Sequence, residues 1–261
     1  MTGGPLARFT LRSGSLLGLT ALVGLLAFAW PLVWPADSAS HWLAVVLLVA
    51  SVPLGLGVVA SELANHSLDV KALAMLGVLS AVGAVMRPLG AGTGGIETVF
   101  FLLIIAGRVF GAGFGFVLGT TTLFVSALLT GGFGVWLPYQ MLAAAFVGFG
   151  AGLLPRLRRL ELAALCAYGS VAAFVFGSLM DLSFWPFALG GGGGLSYQPG
   201  ARAWTNLRRF LVYEAVTGTG WNLGRAITTV VLLLVLGRPL LHVLRRAARR
   251  ASFATSGTPS G

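Results

Sequence analysis

Charged side chains, cysteine and lysine are all scarce in this sequence, and each scarcity excludes a class of protein. Charged residues make up 9% of the 261 residues, whereas soluble domains carry roughly 25%. The single cysteine, Cys166, cannot form an intrachain disulfide, and its apolar surroundings favour a buried structural residue over a reactive thiol. The only lysine is Lys71, so the glycines at 190–194 lack the lysine that a phosphate-binding P-loop needs. ATP hydrolysis by that chemistry is not expected.

Apolar residues dominate instead. They make up 57% of the chain, and the mean hydropathy is +0.91, which predicts a membrane protein. The net charge of +10 could suggest nucleic-acid binding. However, most arginines cluster at the ends of apolar runs, which is the pattern of residues that stay on the cytoplasmic side of a membrane. No nucleic-acid partner is expected.

The most informative stretch is 95–154, which holds three apolar runs separated by short breaks. The runs are 96–109, 114–130 and 137–154, and each approaches the ~20 residues that a membrane-spanning helix needs. The first break, 111–113, predicts only a tight turn. The second break contains three glycines, Trp136 and then Pro138, which predicts a shaped loop at the membrane edge.

This stretch resembles the core of an S component, the substrate-capturing membrane subunit of an energy-coupling factor (ECF) transporter, of the actinobacterial type. The resemblance extends more weakly over 71–250 and leaves out 16–60. Many members end the loop with Gly-Pro-Trp, whereas Val135 stands here in the place of that proline. The segments that carry the resemblance are GIETVFF at 95–101, GRVFG at 107–111, SALLTGG at 126–132 and GVWLPYQM at 134–141.

The resemblance implies an all-α polytopic membrane protein that is not an enzyme and carries no cofactor. Its six-helix core would capture a vitamin or cofactor precursor from outside. It would then dock through its first core helix on a transmembrane coupling subunit that carries two cytoplasmic ATPases. The resemblance and the aromatic-rich outer segments favour a cobalamin-type compound, and they leave a flavin or another ring-bearing vitamin open.

The apolar runs predict eight spans, with both termini cytoplasmic in a multi-pass cell-membrane protein. The first run could be a signal peptide, but its length favours a retained span with Trp30, Trp34 and Trp42 as interface anchors. The amphipathic segment 204–217 is expected at the membrane surface, and 237–239 is expected to end the last span. The predicted divisions are a cytoplasmic segment at 1–15, two extra N-terminal transmembrane helices at 16–70, the six-helix substrate-binding core at 71–240 and a basic, partly disordered cytoplasmic tail at 241–261.

This topology places aromatic, amide and acidic side chains on one external face, as a flat and partly polar ligand requires. The aromatic residues could instead anchor the chain at the membrane interface, and the acids could pair with Arg225. A charge within an apolar run is costly, which makes the acids informative. The predicted substrate-binding residues are Glu97, Trp136, Tyr139, Gln140, Asp181, Trp185, Trp221 and Asn222.

Small residues recur at helical spacing in two places. In the first core span, Gly77, Ala81 and Ala84 predict a face that admits another helix closely. Packing within this chain is the alternative, and the resemblance favours docking of the coupling subunit. In the second place, glycines at 111, 115 and 119 predict another closely packed face.

Two other function classes fit less well. A membrane enzyme needs paired catalytic side chains or a metal cluster, but His41, His66 and His242 lie far apart in sequence, and no metal site is predicted. A stand-alone secondary transporter of a small organic solute needs acids within broken helices, and it remains the alternative.

Overall fold

The structure is a computed structural model of the chain. Most of the two predicted N-terminal helices, the segment 1–15 and everything after residue 253 lie outside the described residues. These are 22–33, 42–43, 46, 49, 70–90, 93–155, 157, 159–188 and 193–253.

All regular structure in the described part is helical, which confirms the all-α prediction there. The helices are α1 (Trp30–Val33), α2 (Val70–Met86), α3 (Phe100–Phe110), α4 (Ala112–Thr130), α5 (Leu137–Leu153), α6 (Glu161–Ala188), α7 (Ala203–Tyr213) and α8 (Thr219–Phe253). A 3₁₀ turn at Arg87–Leu89 follows α2, a π-helical turn at Glu214–Gly218 joins α7 to α8, and residues 22–28 are also helical.

Three segments are long and apolar enough to cross a membrane: Ala112–Thr130, Glu161–Ala188 and Ala203–Arg249. The other apolar helices are shorter. At ~1.5 Å per residue, the 11 residues of Phe100–Phe110 extend only ~16 Å. The span count of eight and the orientation of the termini therefore stay predictions.

Glycines let the central helices pack backbone to backbone. An added Cβ at Gly107 on α3 or at Gly115 on α4 would collide with the carbonyl oxygen of Gly148 on α5. At Gly119 it would collide with Ala144. The predicted close-packed face of α4 is confirmed for Gly115 and Gly119, and α3, α4 and α5 form the centre of the core.

Two predicted boundaries are wrong. Helix α8 does not end at 237–239 but runs through Pro239 to Phe253. Buried Leu241 and Leu244 hold this last part in the core, since neighbouring helices can support a helix through proline in an apolar bundle. Helix α6 likewise continues past Asp181 to Ala188. The amphipathic segment 204–217 leads into α8 without a break in the helix.

Trp30 is not the interface anchor that the sequence predicts. It is fully buried, its indole Nε1 donates to the Ser183 carbonyl oxygen at 2.9 Å, and its ring stacks on Phe187. The described N-terminal segment therefore packs on α6 as part of the bundle. Trp42, in contrast, is exposed.

The longest helices, α6 and α8, pack against each other and carry charged residues at both ends. Glu161 and Asp181 lie about 20 residues apart on α6, as Arg225 and Arg245 do on α8, which corresponds to ~30 Å along each helix. We call one group the Glu161 end, formed by Arg108, Glu161 and Arg245. The other group is the Arg225 end, formed by Glu97, Ser178, Asp181, Glu214, Asn222 and Arg225.

Candidate functional site

A chain of hydrogen bonds runs through the Arg225 end. Arg225 Nη1 donates to Asn222 Oδ1 at 2.6 Å, and Asn222 Nδ2 donates to Glu214 Oε1 at 2.7 Å. The same carboxylate oxygen accepts from Ser178 Oγ at 2.8 Å. The Asn222 amide therefore stands between the guanidinium and the Glu214 carboxylate, so the two charges interact without a direct ion pair.

Asp181 adds a second carboxyl group to this chain. It lies three residues after Ser178, on the same face of α6, and it interacts electrostatically with Glu214. The Tyr213 side chain and the Arg225 guanidinium also interact electrostatically with both acids.

Two aromatic rings hold the Arg225 guanidinium. Its Cζ lies 5.2 Å from the ring centroid of Phe176 on α6 and 6.0 Å from that of Phe100 on α3. Nη1 also donates to the Ala173 carbonyl oxygen at 3.4 Å. These contacts keep the cation at the junction of three helices, since a guanidinium is attracted to aromatic faces.

Glu97 approaches from the loop that precedes α3. It interacts electrostatically with Arg87 and Arg225. Burial raises the pKa of the Glu97 carboxyl above 4.5, while the two arginines and a backbone hydrogen bond at Val99 lower it. Glu97 is thus the third acid at the Arg225 end.

A glycine contact fixes this loop on α8. Gly95 adopts φ of 77°, and an added Cβ would collide with the Trp221 carbonyl oxygen. On the helix side, an added Cβ at Gly224 would collide with the carbonyl oxygen of Gly94. The loop reaches α8 so closely because neither surface carries a side chain at these points.

The π-helical turn positions Glu214. Glu214 is its first residue, and an added Cβ at Gly218 would lie 2.6 Å from Glu214 Oε2. A π turn displaces the following residues from ideal α-helical register and is frequent at functional sites. Here it turns an acid of a continuous helix towards Ser178 and Asn222.

Arg87 joins the loop after α4 to this end of the bundle. Its Nη2 donates to Gln140 Oε1 at 2.9 Å, and its Nη1 donates to Ser126 Oγ at 3.4 Å. Gln140 lies in the first turn of α5, directly after the loop at 131–136. The loop therefore ends at a residue bonded to Arg87, which in turn faces Glu97.

Three buried polar atoms of this end have no hydrogen-bond partner: Glu97 Oε1, Glu214 Oε2 and Arg225 Nε. The large majority of buried polar atoms in proteins are bonded, so three unpaired atoms among adjacent residues need an explanation. Two of them are acceptors on acids and one is a donor.

The predicted binding residues separate into two groups. Glu97, Asp181 and Asn222 lie together at the Arg225 end, and Gln140 connects to it through Arg87. The four aromatic residues form the second group, in which Trp221 directly precedes Asn222 in the chain.

Two of those aromatic residues are core residues. Tyr139 is fully buried between Phe28 and Phe184, with ring centroids 5.2 and 5.4 Å away. Trp185 is also fully buried, packs on Phe210, and donates from its indole Nε1 to the Leu195 carbonyl oxygen at 2.9 Å.

The other two aromatic residues are exposed. Trp136 is 45% exposed, and its ring lies against the backbone of Gly134 in its own loop. Trp221 is 49% exposed at the start of α8, beside the contact with Gly95. Both are accessible to a molecule that approaches this end of the bundle.

Sequence reasoning missed Glu214, Ser178 and the contact made by Arg87. Glu214 lies within the segment predicted to be a surface helix, where an acid would face water. No spacing in the sequence signalled this contact, because Glu214 and Asn222 meet through the π turn between them.

The predicted docking residues do not share one face. Gly77 and Ala81 are exposed on α2, and an added Cβ at Gly77 meets no atom within 4 Å. Ala84 is fully buried. The exposed side of α2 also carries Leu73, Val78, Val82 and Val85.

An apolar groove of about 360 Å³ lies between α5 and α6, with Leu25 at its edge. Phe176 lines the groove and also contacts Arg225. Within the described part of the chain, no group of three histidine, cysteine or acidic side chains is placed to hold a metal ion. The chain has no match among protein-family models, among curated proteins or among solved structures.

Proposed function

We propose that the chain is the substrate-binding membrane subunit of an ECF-type ABC importer. It captures a vitamin or cofactor precursor, with a cobalamin-type compound favoured, and docks on a coupling subunit driven by two partner ATPases. The chain crosses the cell membrane several times, with both termini cytoplasmic. The sequence resemblance across 95–141 is the starting point of this proposal.

The spacing of the two polar ends supports the part of this proposal that places the chain across a membrane. The Glu161 end and the Arg225 end lie ~30 Å apart along α6 and α8, which equals the thickness of the hydrocarbon core of a bilayer. Apolar side chains fill the helices between them. A bundle of this kind fits a bilayer with one polar end at each surface.

The Arg225 end supplies the substrate-binding features. It offers unpaired buried polar atoms, and two aromatic residues of the neighbouring segments, Trp136 and Trp221, are exposed. Polar groups combined with aromatic surface suit a ring-bearing ligand that carries a few polar groups. The loop at 131–136 is joined to this end through Gln140 and Arg87, so its movement would open or close the site.

The exposed side of α2 supplies the docking surface. It combines small Gly77 and Ala81 with apolar Val78 and Val82. Small residues let two helices approach closely in lipid, where van der Waals packing drives association. A coupling subunit can therefore dock there without disturbing the Arg225 end.

The test is to separate docking from ligand binding. Ala81→Trp places a large ring on the exposed face and should abolish uptake of labelled vitamin in cells that express the partner subunits. Ligand binding to the purified variant, measured by calorimetry with a vitamin panel, should stay close to that of the parent, because Ala81 is exposed on α2 and is not part of the Arg225 end.

Val235→Trp is the matched control, because Val235 is 66% exposed on another helix. It should leave uptake intact. Normal uptake by Ala81→Trp would contradict docking on α2, and the absence of binding by the parent to every vitamin of the panel would contradict the proposed function.

A secondary transporter is the second candidate, favoured by one observation. Glu214 begins a π turn inside a long helix and interacts electrostatically with Asp181, and acids at broken helices are typical of ion-coupled transport. Uptake by proteoliposomes that contain this chain alone, driven by a proton gradient, would favour this candidate.

A further inference from the structure

The exposed face of α8 changes from apolar to basic partway along the helix. Three exposed apolar side chains come first, at steps of four and three residues: Ile227, Val231 and Leu234. Three exposed basic side chains follow at steps of four residues: Arg238, His242 and Arg246. Residues at these steps lie on one side of a helix, so a single face offers apolar surface and then positive charge.

Contacts with α6 fix the level at which this change occurs. An added Cβ at Gly237 would lie 2.9 Å from Leu162 Cδ1, at the start of α6. About two turns later along α8, Arg245 Nη2 donates to Glu161 Oε1. The basic part of α8 therefore belongs to the Glu161 end, ~30 Å from the Arg225 end. In a bilayer with one polar end at each surface, this is the level of the lipid headgroups.

The described acids leave this positive charge unneutralised. No acidic residue follows Glu214 in the sequence. Among the described acids, all except Glu161 belong to the Arg225 end. The Glu161 carboxylate already accepts from Arg108 and Arg245. Exposed Arg159, which precedes α6, adds further positive charge at this end, so the surface attracts an anion.

We propose that this face of α8 binds an anionic phospholipid. The headgroup phosphate contacts Arg238, His242 and Arg246, and the acyl chains lie along Val231 and Leu234. The proposal uses only the placement of the chain across a membrane, so it goes beyond the importer function and does not depend on it.

A hydrogen bond orients His242 between the two arginines. Its Nδ1 lies 2.8 Å from the Arg238 carbonyl oxygen. Because a carbonyl oxygen can only accept, Nδ1 is the donor, and Nε2 of this exposed ring can take a proton and donate to a phosphate oxygen. Residues four apart on a helix have Cβ atoms ~5–6 Å apart, so neighbouring members of the row can contact one phosphate group.

The combination of apolar and basic surface identifies the anion as a lipid. A soluble phosphate would use only the charged side chains, whereas a phospholipid also covers exposed Val231 and Leu234. Arginine can lay its apolar stem along such a surface while its guanidinium reaches the headgroups. Basic clusters directly after a membrane-spanning helix are typical of binding sites for anionic lipids.

Native mass spectrometry of the full-length protein in detergent tests the proposal. The protein is offered equal amounts of phosphatidylglycerol and phosphatidylcholine with the same acyl chains, which differ in the net charge of the headgroup. The parent should bind phosphatidylglycerol in clear preference. Equal binding of the two lipids by the parent would overturn the proposal.

Two double variants with the same net charge locate the site. Arg238→Gln with Arg246→Gln should lower the preference for phosphatidylglycerol by about ten- to thirtyfold, the effect of two arginines near an anionic surface. Arg202→Gln with Arg208→Gln removes two exposed arginines near α7 instead and should keep the preference. Equal losses in both double variants would show a general effect of charge and contradict a site on α8.

Glycerol 3-phosphate separates a lipid site from a site for free phosphate. This soluble anion lacks acyl chains, so at the same concentration as the lipid it should leave bound phosphatidylglycerol in place. Displacement of the lipid by glycerol 3-phosphate would refute the lipid as occupant. Both double variants should melt like the parent in lipid-free detergent, since they change exposed positions, so a loss of lipid binding would not reflect misfolding.

The outcome is separable from the test of the importer function. Equal binding of the two lipids while Ala81→Trp still blocks uptake would remove only the lipid site. Failure of vitamin binding and docking, while the parent still prefers phosphatidylglycerol, would remove only the importer proposal.

Discussion

At the Glu161 end, one carboxylate oxygen accepts from both Arg108 and Arg245. At the Arg225 end, three acids surround an arginine whose hydrogen bonds go to an amide and a backbone carbonyl instead. The same helices, α6 and α8, carry both groups. The difference indicates that the two ends have different roles. The Glu161 end holds the helices together, and the Arg225 end keeps polar atoms available for a ligand.

The contacts of Arg108 explain the structural role of the Glu161 end. Its Nε donates to Glu161 Oε1 at 2.9 Å, and its other nitrogens donate to the carbonyl oxygens of Leu154 and Pro155. The arginine thus joins α3, the end of α5 and the start of α6, and Arg245 adds α8. Each of its three nitrogens therefore donates to a protein oxygen.

The largest expected effect comes from breaking the Glu161 end. Glu161→Gln removes the charge that neutralises Arg108, whose side chain is 7% exposed. Loss of one partner of a buried ion pair costs about 3–5 kcal/mol. Chemical denaturation in detergent should show this loss in the free energy of unfolding. Arg246→Gln, at an exposed position on α8, is the control and should change it by less than ~0.5 kcal/mol.

A loss near zero for Glu161→Gln would mean that the two ends do not differ in structural importance.

An intermediate effect is expected where the loop of Glu97 meets α8. Gly224→Ala would push the Gly94 carbonyl away and should destabilise the protein by about 1–3 kcal/mol, as overpacking does. Gly220→Ala is the matched control on the same helix, since an added Cβ there meets no atom within 4 Å. It should stabilise the protein by roughly 0.5–1 kcal/mol.

Thermal melting of both alanine variants measures this contrast. Equal effects of the two substitutions would show that the loop does not lie against α8.

The smallest effect concerns pH. The pKa of the Glu97 carboxyl is raised above 4.5 by burial, so the folded state binds its proton more tightly than the unfolded state. The stability from this group is present below pH 4.5 and is lost as pH rises through the raised pKa. The melting temperature of the parent should therefore fall as the pH rises over this range. In Glu97→Gln this contribution should disappear, and an identical pH profile would contradict the burial of the carboxyl.

Part of the Arg225 end could be predicted from the sequence. Glu97, Asp181 and Arg225 are charged residues in or beside apolar runs, where a charge is costly without a partner or a function. That argument needs only composition and position. The same argument could not identify Glu214, because the segment around this residue is amphipathic. Only the π turn directs its carboxylate towards Ser178 and Asn222.

The aromatic residues show the limit of such reasoning. Trp136, Tyr139 and Trp185 all lie in segments predicted to face outside, yet only Trp136 is exposed. A sequence gives the segment in which a ring lies, but the side on which it packs depends on neighbours distant in the chain. Tyr139, for instance, is buried by Phe28 and Phe184.

The sequence by itself determined that the described part of this protein is helical and apolar, because runs of apolar residues in lipid must satisfy their backbone groups within each helix. It also located Gly115 and Gly119, at which α4 approaches α5 closely, although Gly77, predicted in the same way, meets no atom within 4 Å. Only the tertiary structure decided which charged groups are paired. Pairing depends on which residues meet at each end of α6 and α8, and a single amide, Asn222, separates Arg225 from Glu214 where Glu161 bonds its arginines directly.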